Sequence, residues 1–302
     1  MTSFTTPILL VLFNRPGQTR LVFNEIRKLK PARLFVTGDG PRAHVPTDAE
    51  RCELTRAIIK DIDWDCTVQT LFREKNLGCR KAVSSAIDWF FEQVDEGIIL
   101  EDDCLPSASF FTFCADMLSR YRDDERIMQV SGTNLLEKWN EGASDYFFSY
   151  YGAIWGWATW KRAWKRYDVE MKLWNHPDTK QRIADILVDK RQVNTRLQIC
   201  DLVYDNKIDT WDYQWTFCKL VNSGLSLNPA VNLVSNIGFT QDATHTKKES
   251  TLGTIARYEL KTPAKENPIV VVDREFDALF YKRSQDSRWR KLISRVRAYL
   301  PQ

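Results

Sequence analysis

Three consecutive acids, Glu101, Asp102 and Asp103, follow the apolar residues 98–100. Carboxylates this close repel one another, and each prefers water to the end of a buried strand. A cation relieves both problems. Mg²⁺ and Mn²⁺ take oxygen ligands in an octahedron, with one or two carboxylates and the rest waters and phosphate oxygens. Not all three acids then need to ligate, and the others can accept hydrogen bonds from ribose or sugar hydroxyls. The plainer alternative is that the acids cap a helix starting near Pro106, where negative charge is favoured. Capping needs one acid, not three.

A fourth carboxylate, Asp212, lies between Trp211 and Tyr213 in DTWDYQWTF (209–217). An apolar wall disfavours the charged form and suits a carboxylate to take a proton from an attacking hydroxyl. Asp209 is its rival as base, and a helix N-cap beside core Trp is the structural alternative. Residues 139–174 hold six Trp, and WGWATW (155–160) is the densest run. Trp faces stack on sugar rings, although such density also suits a core. Gly156 lets backbone come close to a sugar, so Gly156 and Trp157 are binding candidates. Arg15, in the turn NRPGQT, is a permanent cation suited to a phosphate, or else a surface Arg. Asp39 stands between two glycines, open to a ligand or simply forming a turn. Asn76 and Gly78, in REKNLGCRKA (73–82), precede a helix and are placed to meet a nucleotide.

These residues need elements to bring them together. Residues 7–13 and 33–40 read as buried strands, and 66–72 and 97–100 as a third and a fourth strand. Helical periodicity covers 20–30, 47–61 and 81–94, with Thr47 and Glu50 in a capping-box pattern. Strand and helix alternate four times, as in a parallel, doubly wound sheet. Ligands of such sheets bind at the carboxyl ends of the strands. Asn14 and Arg15, Asp39 and the three acids all fall at those ends. Residues 105–122 read as helix, 127–132 as strand, 178–222 as mostly helix and 224–239 as strand-rich.

Composition bounds the rest. The chain has 302 residues, 43% hydrophobic and 27% charged, with net charge +3. That is a globular composition, and the charge is too small to imply nucleic acid. Seven Cys without a C-x-x-C point to buried free thiols and a reducing, cytoplasmic setting. Residues 1–6 lack a basic region and 8–13 is a short apolar run, so no signal peptide is expected.

With the motifs assembled, ILEDDCLPS resembles the acidic motif of GT-A nucleotide-sugar glycosyltransferases. The form is most similar to the N-acetylglucosaminyltransferase I type and related bacterial family-2-like enzymes. PILLVLFNRP, FVTGDG, YYGAIWGWATWKRAW and DTWDYQWTF resemble further segments of that group, in its order, over about residues 7–240. The resemblance implies an α/β GT-A fold, a mostly parallel sheet with helices on both faces and an aromatic-rich acceptor side. It implies a Mn²⁺ or Mg²⁺ ion on Asp103, with Glu101 and Asp102 on donor sugar and ribose. It further implies Asp39 on base or ribose, Arg15 on the diphosphate and His245 near the metal. The family motif has two consecutive acids where this chain has Asp212 and Tyr213. It also has a His in the neighbourhood of residues 73–82, where this chain has none, which leaves the base of the nucleotide open.

The expected function is inverting transfer of a sugar, hexosyl or N-acetylhexosaminyl, from a nucleoside-diphosphate donor to a glycan or lipid-linked acceptor. The rivals are a sugar-1-phosphate nucleotidyltransferase and an inactive carbohydrate-binding protein of the same fold. A nucleotidyltransferase should carry a Gly-rich basic stretch after its first strand, and NRPGQT is poor in Gly. The expected organisation is a nucleotide-sugar half (1–132), an acceptor-side half of the same domain (133–281) and a C-terminal helix (282–302). That helix holds seven Lys or Arg against one acid, Asp286, with Trp289, Leu292, Ile293 and Val296 at helical spacing. The pattern is that of an interfacial helix docking on the anionic inner face of a membrane, or of a helix packed back on the domain.

Overall fold

The computed structural model describes residues 3–238 and 255–284. Strand β1 (Ile8–Leu12) leads into helix α1 (Pro16–Leu29), followed by β2 (Arg33–Gly38), α2 (Asp48–Ala57), β3 (Thr67–Phe72), α3 (Gly78–Gln93) and β4 (Glu96–Glu101). Beyond the acids lie β5 (Cys104–Pro106), α4 (Ala108–Arg120) and β6 (Ile127–Ser131). The remainder supplies β7 (Tyr146–Ser149), β8 (Trp157–Trp160), the one-turn α5 (Lys161–Trp164), α6 (Thr179–Leu187), α7 (Lys190–Tyr204), α8 (Asp212–Val221), β9 (Leu225–Pro229), β10 (Val234–Asn236) and α9 (Arg274–Ser284).

Eight strands make one sheet in the order β3-β2-β1-β4-β8-β6-β9-β7, and β5 pairs with β10 apart from it. β1 is parallel to β2 and β4, and β2 to β3. β8 is antiparallel to both β4 and β6. β6 is parallel to β9, and β7 is antiparallel to β9. All strands but β7 and β8 therefore point the same way, and the expected α/β class with a largely parallel sheet is what the chain adopts. β8, from the second half of the chain, lies between two strands of the first, so the sheet is continuous across residue 132.

The apolar runs are continuous because both faces are covered. Ile8, Leu10, Leu34, Val36, Ile98 and Leu100 pack with α1 and α4 on one side. Leu9, Phe35 and Ile99 pack with α3 and the Trp of α5 and α8 on the other. Where local structure departs from expectation, the reasons are specific. Helix α1 begins at Pro16, ahead of residue 20, because Pro at the first helical position has no N–H to leave unpaired. The capping box does not form: Thr47 makes no cap hydrogen bond. The next residue, Asp48, accepts from Asn14 at 2.7 Å and from the Arg42 guanidinium at 2.6 and 2.9 Å. Among the described residues no helix is long and apolar enough to cross a membrane.

Candidate active site

The parallel strands deliver their polar ends to one edge. Arg15, just after β1, places Nη1 at 2.6 Å from Asp103 Oδ2 and 3.3 Å from Asp102 Oδ1. Asp102 is 5% exposed and accepts the Phe13 N–H at 3.0 Å through its other oxygen. Burial pushes the Asp102 carboxyl above its ordinary range, and Arg15 opposes that shift. Glu101 is pushed up too, by burial first and then by the charges of Asp103, Asp102 and Asp212. Its Oε1 is buried without a hydrogen-bond partner. The cluster is therefore short of positive charge.

The capping alternative for these acids fails. The N-terminus of α4 is capped by Glu259, which accepts the Ala108 and Ser109 N–H groups at 3.1 and 2.8 Å. The acids are left facing one another and Arg15.

Asp39 ends β2, but its oxygens are engaged by the chain. They accept the Gly40 N–H at 2.9 Å, the Leu77 N–H at 3.0 and 3.1 Å, and the Asn76 amide at 2.9 Å. Asn76 also donates to Gly40 O at 2.9 Å. The space beside Gly40 is taken by the backbone of Glu74 and Lys75, which a Cβ would meet at 2.7 Å or less. Asp39 and Asn76 thus build the floor of this edge by pinning loop 73–77 to β2. Gly78 has φ +78°, and a Cβ there would lie 2.7 Å from Asp209 Oδ2.

Asp209 accepts the Cys79 and Arg80 N–H groups at 3.0 and 3.1 Å, so it caps α3 from a distant loop. Both its oxygens are spent on that task, which favours Asp212 in the comparison of the two acids. Asp212 is the first residue of α8, and its carboxylate accepts from the Thr210 hydroxyl. Its charge adds to the upward push on the Glu101 carboxyl.

The aromatic segment divides. Trp157 is fully buried, stacked on Trp211 at 5.6 Å and flanked by Trp215 and Trp164 at 5.7 and 6.2 Å. It serves the core here and presents no face to a ligand. Gly156 has φ +65°, and the place of its missing side chain is filled by Val234 and Leu100. Trp155 and Tyr213 instead line a cavity of about 130 Å³ that Asp212 also lines. Cys79 escaped the sequence reading. It is exposed, near the charges of Glu101, Asp212, Asp209 and Asp39. A single Cys outside any metal-ligand spacing carries no signal in sequence.

Among the described residues no group of three or more His, Cys, Asp or Glu is arranged to hold a metal. His245 and residues 285–302 of the expected C-terminal helix lie outside the described residues. The oxygen donors of Glu101 and Asp103 still suit a hard cation. Such an ion needs only one or two carboxylates when water and phosphate complete its shell, and the buried, unpartnered Glu101 Oε1 shows the same need for charge.

No family model matches the chain, and no curated protein matches it. Solved structures similar to it include 4-diphosphocytidyl-2C-methyl-D-erythritol synthase from Anaerococcus prevotii, 7% identical, covering 55% of this chain and 76% of that one at TM-score 0.33. The inositol-1-phosphate CTP transferase of T. maritima is 9% identical over 55% and 74%, at TM-score 0.33. Mouse xyloside xylosyltransferase 1 is 10% identical over 73% and 81%, at TM-score 0.33. Likeness this distant says nothing of activity.

Proposed function

We propose that this chain is an inverting GT-A glycosyltransferase that uses a nucleoside-diphosphate sugar. One observation carries the reading. Strands β1 and β4 bring Arg15 against Asp102 and Asp103, while the start of α8 puts Asp212, whose charge reaches Glu101, in the lining of an aromatic cavity. A diphosphate site and a base beside an acceptor pocket are what sugar transfer requires. Asp103 and Glu101 would hold a Mn²⁺ or Mg²⁺ ion, which would supply positive charge where the diphosphate leaves. Asp102, held by Phe13 N–H, orients Arg15 toward that diphosphate and meets the ribose. Asp212 takes the proton of the acceptor hydroxyl as its oxygen bonds to the sugar's C1. The C1–O bond to phosphate breaks, and the nucleoside diphosphate leaves with the electron pair. Attack opposite the leaving group inverts the anomeric centre.

The acceptor is a glycan or lipid-linked glycan of an envelope polysaccharide, and residues 282–302 dock the enzyme on an anionic membrane surface in the cytoplasm. The nucleotidyltransferase reading is the weaker one. Residues 13–15 join β1 directly to α1, leaving no glycine-rich phosphate loop. The test is thermal shift with a panel of nucleotide sugars, with and without Mn²⁺, then product analysis. Mn²⁺-dependent stabilisation by a nucleotide sugar and a β-linked product from an α-linked donor are expected. An α-linked product sinks the inverting assignment. Release of pyrophosphate from a nucleoside triphosphate and a sugar 1-phosphate would favour the rival.

A further inference from the structure

The cavity beside Asp212 holds a cation that the transfer chemistry above does not use. Arg196, on α7, lines it together with Tyr151, Trp155, Gln192 and Tyr213. The volume of about 130 Å³ has room for roughly four waters, on the order of one sugar ring. Its walls are aromatic faces with amide and hydroxyl groups between them, the usual make-up of a pocket for a polyhydroxylated ring. The Tyr151 hydroxyl donates to Gln192 Oε1 at 2.8 Å, which fixes both side chains. The Arg196 guanidinium carbon lies 5.9 Å from the centre of the Tyr151 ring.

No described carboxylate lies within ion-pair distance of Arg196. Among the described residues it makes no ion pair within 4.0 Å, unlike Arg15, Arg42, Arg80 and Arg120. Its Nη1 is buried and without a hydrogen-bond partner. Arg196 is half-buried, and a buried guanidinium nitrogen without a partner is costly. Its field reaches the neighbours: it helps hold down the Lys219 ammonium and opposes the upward shift of the Tyr151 phenol. Planar, permanently charged and forked, a guanidinium matches carboxylate and phosphate oxygens better than any neutral hydroxyl.

We infer that the acceptor is an acidic sugar, whose carboxylate or phosphate pairs with Arg196 while a hydroxyl of the same ring or its neighbour meets Asp212. This rests on the glycosyl-transfer reading and narrows it to a substrate class. A neutral acceptor leaves the buried Arg196 Nη1 without an anionic partner, so the pocket selects against it as well as for the anion.

The experiment has two parts, both on the full chain. Wild type, Arg196→Gln and Arg196→Lys are applied to an immobilised panel of neutral, uronic-acid, sialic-acid and phosphorylated glycans. Wild type should retain acidic members at least about tenfold better than neutral ones of the same linkage, the worth of one charge-assisted hydrogen bond. Arg196→Gln should erase that difference, and Arg196→Lys should keep part of it. Which acidic class is retained distinguishes carboxylate from phosphate. Equal retention of neutral and acidic glycans, no retention at all, or a preference that survives Arg196→Gln overturns the inference. So does an Arg196→Gln chain that loses UDP or GDP binding with Mn²⁺, because Arg196 would then belong to the donor. Nucleotide binding by wild type reports separately on the parent reading. If no nucleotide binds, that reading falls; if nucleotide binds and the acidic preference is absent, only the acceptor class falls.

Discussion

On the proposed mechanism, the acidic cluster and Asp212 divide the work between two carboxylate settings. Asp103→Ala should remove Mn²⁺-dependent nucleotide binding and turnover while leaving a folded chain, as judged by circular dichroism and a nucleotide titration. Asp212→Asn keeps the shape and removes the proposed proton acceptor. It should lower kcat by about 10²–10⁴ with nearly unchanged donor affinity, because the group acts only as the bond forms. A third residue gives a pH signature. Lys219 is 1% exposed, and its ammonium donates to Gln129 Oε1 and Ser226 Oγ, both at 2.6 Å. Burial first, and then the charge of Arg196, brings its pKa down to about 7 from an ordinary 10.5. Between those values the unfolded chain holds a proton that the folded chain does not, so stability rises with pH across that window. In urea melts at pH 7 and pH 10, Lys219→Met should gain less stability from the alkaline shift than wild type gains. Of these residues, Arg15, Asp102, Asp103 and Asp212 were legible in sequence, since polar groups at strand ends or among aromatics are exceptions that ask for a reason. Lys219 and Arg196 were not, because a lone cation on a helix looks the same whether it faces water or a cavity.

At the scale of elements, helix N-termini organise the candidate site. Leu77, Cys79 and Arg80 at the start of α3 give their N–H groups to Asp39 and Asp209, which come from two separate loops. Two acids there complement the positive end of the helix dipole. They also tie β2, α3 and the segment before α8 into one frame, so the position of Asp212 depends on a cap three residues upstream. Asp209→Ala should cost about 1–2 kcal/mol in chemical denaturation, as lost caps do. It should lower turnover less than Asp212→Asn does. Equal losses would mean that Asp209, not Asp212, receives the proton. The alternation of β1 to β4 with their helices was readable because both-face burial yields apolar runs in β1, β2 and β4, while the edge strand β3 is only partly buried. The caps were not: partners such as Glu259 and Asp209 come from more than a hundred residues away, and only local caps such as the failed Thr47 pattern can be read along the chain. Trp157 was misleading for a related reason. Residue type names an aromatic face but not the layer it enters, and β8 turns that face into the Trp211–Trp215 core.

At the scale of the whole molecule, the basic C-terminal stretch extends the reading to a surface. Deleting residues 285–302 should release the chain from anionic liposomes at low salt and leave its melting temperature unchanged, each basic residue contributing about 1 kcal/mol near such a surface. A deletion that unfolds the chain, with intact protein ignoring liposomes, points instead to a helix packed on the domain. The insertion of β8 between β4 and β6 has a different kind of consequence, one that concerns synthesis. The acid-bearing strand β4 is made early, yet its second neighbour arrives only with residues 157–160. At roughly 5–20 residues per second of elongation, that edge waits several seconds for its partner. During that interval its unpaired N–H and C=O groups and flanking apolar side chains can recruit another nascent chain. The first 132 residues made alone should therefore aggregate, and adding the chain up to residue 160 should relieve the exposed edge. Chaperone demand would then be set less by the length of the protein than by the moment at which one tryptophan-rich strand leaves the ribosome.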